Sequence, residues 1–140
     1  MINMTNVING LQFEMHFTRF LRDQGFWVHR IAPNIAGQQP ADIIAIKGAH
    51  HLLIDCKLIT SGHRFYFSRV EDNQRSSMDM FKLRGGEQGW FALMTPSQRI
   101  WMIGLDTILE LERFGINALC EKDMDKYCEE VGVWLTRWIQ

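Results

Sequence analysis

Apolar positions along the chain change period several times, and each change predicts an element. From Asn6 to Gln24, Phe13, Phe17, Phe20 and Leu21 recur at helical spacing and Gly25 stands at the stop, which predicts an amphipathic helix. Phe26–Ile31 is rich in aromatic and β-branched residues and reads as a strand. Ala32–Gln39, with Pro33, Asn34 and Gly37, reads as a loop. Two apolar runs follow, Ala41–Lys47 and His50–Leu58, parted by Gly48-Ala49 in the manner of a hairpin. Arg64–Arg69 predicts a short strand, and Val70–Leu83 a polar helix ended by Gly85-Gly86. Trp90–Met94 and Arg99–Gly104 form a second hairpin around Thr95-Pro96-Ser97-Gln98. Asp106–Arg113 predicts a short helix with Asp106 as N-cap, and Val131–Trp138 a final strand. This order predicts an α/β (α+β) domain, a mixed β-sheet flanked by helices.

The first hairpin permits a geometric step. With Gly48-Ala49 at its tip, Lys47 faces His50, Ile44 faces Leu53 and Asp42 faces Asp55. Residues directly opposite on an antiparallel pair lie about 5 Å apart at Cβ and share a face. Lys57 projects to that face too, while the Cys56 side chain points away. Both strands are apolar on both sides, so they read as buried in mid-sheet. Two carboxylates opposed there repel unless a proton or a cation lies between them. A hard divalent cation resolves the conflict, and Mg²⁺ takes one or two carboxylates together with waters and phosphate oxygens. Lys57 beside it suits metal-assisted phosphodiester hydrolysis. The plainer alternative makes Asp42 a strand-entry residue after Pro40 and pairs Asp55 with Lys57 in a simple salt bridge.

Composition narrows the field. The 140 residues fit one domain, 46% are apolar, and the three cysteines form no CxxC pair. With no secretory signal and no apolar run near the ~18 residues of a membrane span, the expectation is a reduced, cytoplasmic protein. The net charge of −1 hides an asymmetry: residues 1–103 carry 11 Lys+Arg against 8 Asp+Glu, residues 104–140 carry 4 against 8. A basic front with an acidic tail suits an anionic ligand on one face. The five histidines show no zinc spacing, and no Ser-His-Asp pattern, Walker loop or dinucleotide fingerprint is present.

Pro40-Ala41-Asp42 followed by Asp55-Cys56-Lys57 resembles the PD-(D/E)xK nuclease superfamily, with an inserted Ala and an Asp in place of the commoner Glu. Glu14 on the first helix stands where these enzymes place an acid. Gln74, after Phe65–Val70, resembles the strand-then-Gln segment of RecU-type Holliday-junction resolvases, although their long stalk insertion has no counterpart here. The likeness covers residues 10–104. It implies a restriction-endonuclease-like single nuclease domain over residues 1–140, with a motif-bearing core at 10–104 and an acidic segment at 105–140. It implies Mg²⁺ (or Mn²⁺) on Asp42, Asp55 and the Cys56 carbonyl, Lys57 as catalytic lysine, and Glu14 as an outer or second-metal acid. Gln74 would hold Lys57, the metal water or the phosphate. His63, Arg64, Arg69 and Arg75 are candidate DNA contacts. The implied function is a dimeric resolvase of branched DNA in a bacterial cell or phage-infected host. Alternatives are a restriction- or repair-type nuclease with another DNA substrate and a non-catalytic DNA-binding protein.

Overall fold

Asn9 decides where the first helix begins. In the computed structural model, which describes residues 9–32, 39–60 and 62–139, its side chain accepts the Gln12 N–H at 2.9 Å. The Gln12 side chain in return accepts the Asn9 N–H at 3.0 Å, closing a reciprocal cap. Helix α1 (Gly10–Asp23) therefore starts four residues later than the apolar spacing predicts, and residues 6–8 lie outside the described residues. It ends where Gly25 adopts φ +92°, a conformation that favours glycine. Phe13, Phe17 and Leu21 form its buried stripe, each contributing about 1.5–3 kcal/mol by leaving water.

Strands β1 (Trp27–Arg30), β2 (Ile43–Lys47) and β3 (His50–Leu58) follow as an antiparallel meander. The β2–β3 register pairs Ile44 with Leu53 and Lys47 with His50, as the Gly48-Ala49 turn dictates. Next come β4 (Phe65–Tyr66), a 3-10 turn at Phe67–Arg69, helix α2 (Asp72–Leu83) and β5 (Trp90–Met94). Strand β5 pairs parallel to β3, with Asp55 beside Phe91 and Lys57 beside Leu93. A parallel pair needs a long crossover, and α2 supplies it. Strand β6 (Ile100–Gly104), α3 (Leu105–Arg113), β7 (Ala118–Leu119), α4 (Met124–Tyr127), β8 (Glu129–Glu130) and α5 (Val131–Leu135) complete the chain. The main sheet has six strands in the order β1-β2-β3-β5-β6-β8, and β4 pairs with β7 apart from it.

The mixed sheet separates two cores. Leu53, Phe91, Leu93 and Ile103 meet Val70, Met78 of α2 and Ile108 of α3 on one side. Ile43, Leu52, Ile54 and Ala92 meet α1 and the C-terminal tryptophans on the other. Because β3 alternates, Asp55 and Lys57 share the α2 side with Leu53, while Cys56 lies on the α1 side.

Four expectations are corrected. Val131–Trp138 is helical, α5 followed by a 3-10 turn at Thr136–Trp138, not a strand. Trp134 and Trp138, four residues apart, both bury against Trp90, with ring centroids 5.9 and 6.2 Å from it and edge-on geometry. The strand at 64–69 shrinks to Phe65–Tyr66, because Phe67–Arg69 turns to start α2. Asp106 does not cap α3: Gly104 does, and the Asp106 N–H is taken by the Gln88 side-chain oxygen at 2.9 Å. Finally, Val70 lies before α2, whose N-cap is Glu71.

Candidate active site

Asp42 stands one residue before β2, yet the sheet holds its backbone. Its N–H donates to the Ile54 carbonyl at 3.1 Å, and its carbonyl accepts the Ile31 N–H at 2.8 Å. The register of β2 and β3 thus carries on to bring Asp42 against Asp55. The Cys56 N–H donates to Asp42 Oδ2 at 2.8 Å, and the Gln39 side-chain amide donates to Oδ1 at 2.9 Å. Asp55 is only 2% exposed, and Lys57 Nζ lies 2.9 Å from its Oδ2. The salt bridge of the plainer alternative is therefore present, but the second acid beside it makes the site more than an ion pair.

Electrostatics sharpen that point. Burial raises the Asp55 carboxyl to about 7, the Asp42 charge adds to the rise, and Lys57 opposes it. Asp42 is raised as well, first by burial and then by the Glu14 charge, against the Cys56 N–H bond. Lys57 alone does not offset the two acids, so at neutral pH the pair favours either a shared proton or a second cation. A cavity of about 230 Å³ opens over them, lined also by Lys57, Gln39, Asn73 and Gln74. Among the described residues no cluster of three His, Cys, Asp or Glu side chains is poised to hold a metal. Two carboxylates, a backbone carbonyl at Cys56 and room for water nevertheless fit a hard cation such as Mg²⁺, which keeps several waters.

Other expected residues fall in different places. Gln74 is 6% exposed and faces the cavity; its amide oxygen accepts the Glu71 N–H at 3.2 Å, and its amide nitrogen has no partner among the described residues. Glu14 does not line this cavity. It accepts from Arg30 Nε at 3.1 Å and reaches Asp42 through its charge. His63 and Arg64 are exposed and border a separate cavity of about 390 Å³ that Lys122 also lines. Arg69 donates to the Leu58 carbonyl at 3.1 Å and feels the Asp55 charge. Arg75 is committed inside the fold: it donates to Val70 and Phe67 carbonyls and grips both oxygens of Glu112, at 2.7 and 3.0 Å. With four of its five donors used, it is a structural arginine and not a free phosphate contact. Gln39, Asn73 and Arg30 are the residues that sequence reasoning missed. Gln39 sits in a loop without periodicity, and the only signal at Arg30 is a charge ending an apolar strand.

The comparisons come to the same architecture. A family model described as archaeal Holliday junction resolvase (Hjc) matches residues 5–126. Comparison by sequence with curated proteins finds no match. Among solved structures, the chain is similar to Hjc of Archaeoglobus fulgidus, a Holliday junction resolvase from an archaeal hyperthermophile. The identity is 19%, the TM-score 0.67, and the match covers 91% of this chain and 99% of that one. At this identity the likeness establishes the fold, a mixed sheet flanked by helices. The family match corrects the resemblance drawn from motifs in two ways. It fits the PD-(D/E)xK superfamily but not its RecU or phage type, and it runs on to residue 126, past Gly104.

Proposed function

The chain belongs to the archaeal Holliday junction resolvase family, and on that premise we propose that it is a Mg²⁺-dependent endonuclease that cuts four-way DNA junctions as a homodimer. The observation that carries the catalytic reading is the half-buried Asp42 set against the buried Asp55, with Lys57 Nζ 2.9 Å from Asp55. Asp42, Asp55 and the Cys56 carbonyl would hold Mg²⁺, or Mn²⁺ in its place, which supplies Lewis-acid polarisation of a phosphate oxygen and acidification of water.

The remaining chemistry belongs to the chain's own side chains. Lys57 brings positive charge and hydrogen-bond donors to the cavity, where they stabilise charge developing on the phosphate. The amide nitrogen of Gln74, which has no partner among the described residues, offers a neutral donor to the same oxygens. Glu14, tied to Arg30, acts as an outer acid that shapes the field at Asp42. The exposed His63, Arg64 and Arg69 contact DNA phosphates, which position the duplex without reading its sequence. Symmetric cutting of two strands calls for two sites related by a two-fold axis, hence the dimer. No helix among the described residues is long and apolar enough to cross a membrane, which fits a cytoplasmic setting. The matching family is described as archaeal, which lends no support to a bacterial or phage host.

Titrating Mg²⁺ into a labelled four-way junction tests the proposal. Wild type gains nicking activity with Mg²⁺ and Asp42→Asn does not. Nicking by wild type in EDTA would refute metal dependence.

A further inference from the structure

Both oxygens of Asp42 are engaged by the protein itself. The Cys56 N–H on Oδ2 comes from the sheet backbone and is fixed by the β2–β3 register. The Gln39 amide on Oδ1 comes from a long side chain, and freezing a glutamine costs much of its rotamer freedom. Something has to hold it there. Asn73, in the first turn of α2, donates its side-chain amide to the Gln39 carbonyl at 3.2 Å. The backbone of Gln39 is thereby tied to the helix that also brings Gln74 to the cavity.

Gln39 has a second distinction. It lines the cavity over the acid pair and also an adjoining one of about 300 Å³ bordered by Glu14 and Arg30. It forms the wall between the two, on the side from which the Glu14 charge reaches Asp42.

We propose that Gln39 is a positioning residue for Asp42: its amide fixes the plane of the carboxylate so that the free lone pairs face the cavity, and Asn73 holds Gln39 in that pose. This rests on the reading that Asp42 and Asp55 hold a divalent cation. An ionised carboxylate has about four lone-pair sites, of which two are taken here. The torsion that turns a carboxylate is soft, so one bond from Cys56 is a pivot and two bonds are a clamp. Partners that orient a metal-binding carboxylate typically shift metal affinity by about 10–100-fold when lost.

Mn²⁺ binding to the metal-free protein, without DNA, tests this by electron paramagnetic resonance, which counts the free ion. Gln39→Met keeps the length of the side chain and removes the donor. It should weaken Mn²⁺ binding about tenfold or more, with the melting temperature in EDTA unchanged. Asn73→Ala should weaken it in the same direction by less, and decides the matter alone if Gln39→Met does not fold. Wild-type Mn²⁺ affinity in the variants overturns the proposal, and a lowered melting temperature with that affinity intact does so by assigning Gln39 a purely structural role. Absence of Mn²⁺ binding by wild type overturns the metal reading as well.

Discussion

Asp55→Asn should give a more stable protein that cannot cut DNA, and its stability advantage should depend on pH. In the folded chain, burial and the Asp42 charge raise Asp55 from the ordinary 3.8 to about 7. In the unfolded chain it titrates at the ordinary value. Between the two values the folded state keeps a proton that the unfolded state has released, so stability falls as pH rises from about 4 to about 7 and is level above. At 1.36 kcal/mol per pH unit, that span corresponds to about 4 kcal/mol. Asparagine has nearly the same shape and no charge, so the variant escapes the fall. Its advantage over wild type in EDTA should therefore grow by about 4 kcal/mol between pH 4 and pH 8, with roughly a third in place by pH 5. For a chain of this size that widens the gap in melting temperature by about 10 °C. Melts of both proteins in EDTA across this range measure the gap. Saturating Mg²⁺ should narrow it at pH 8, because only wild type gains the cation's stabilisation. A gap that stays constant with pH would mean that Asp55 titrates alike in the folded and unfolded states and is not raised by burial.

Four further variants test single contacts. Lys57→Met should slow single-turnover nicking about 100–1000-fold, since it removes the charge beside the reacting phosphate. Arg75→Ala should destabilise the fold by about 2–3 kcal/mol in urea melts, through lost charge-assisted hydrogen bonds. It should leave the salt dependence of junction binding unchanged, whereas Arg69→Ala should reduce that slope by about one; an Arg75 variant that alters only the slope contradicts its placement. Trp134→Ala should cost about 3–5 kcal/mol in the same melts, because it empties the buried aromatic cluster with Trp90 and Trp138.

The hairpin was readable from sequence because two local constraints agree there. Gly48-Ala49 sets the turn, and any slip of register would flip the buried positions of β2 and β3. That alone brings Asp42 opposite Asp55. The C-terminal segment was not readable in the same way. Val131–Trp138 has strand-forming residues, but burial of Trp134 and Trp138 on one side overrides that preference. Asp106 is a favoured capping type, yet Gln88 satisfies its N–H from another segment. Arg75 looks like a surface charge until Glu112, 37 residues away in sequence, is seen to hold it. Gln39 could not be singled out, since only the folded chain brings it to Asp42. The motif residues report a chemistry shared across the superfamily, which is why they led to the nuclease but to the wrong branch of resolvases.

The most direct measurement is cleavage of an end-labelled four-way junction and a matched linear duplex with Mg²⁺, by wild type and Asp55→Asn. The expected result is paired, symmetric nicks in the junction alone, absent with the variant. Equal cleavage of the duplex, or nicking that survives in Asp55→Asn, would contradict it.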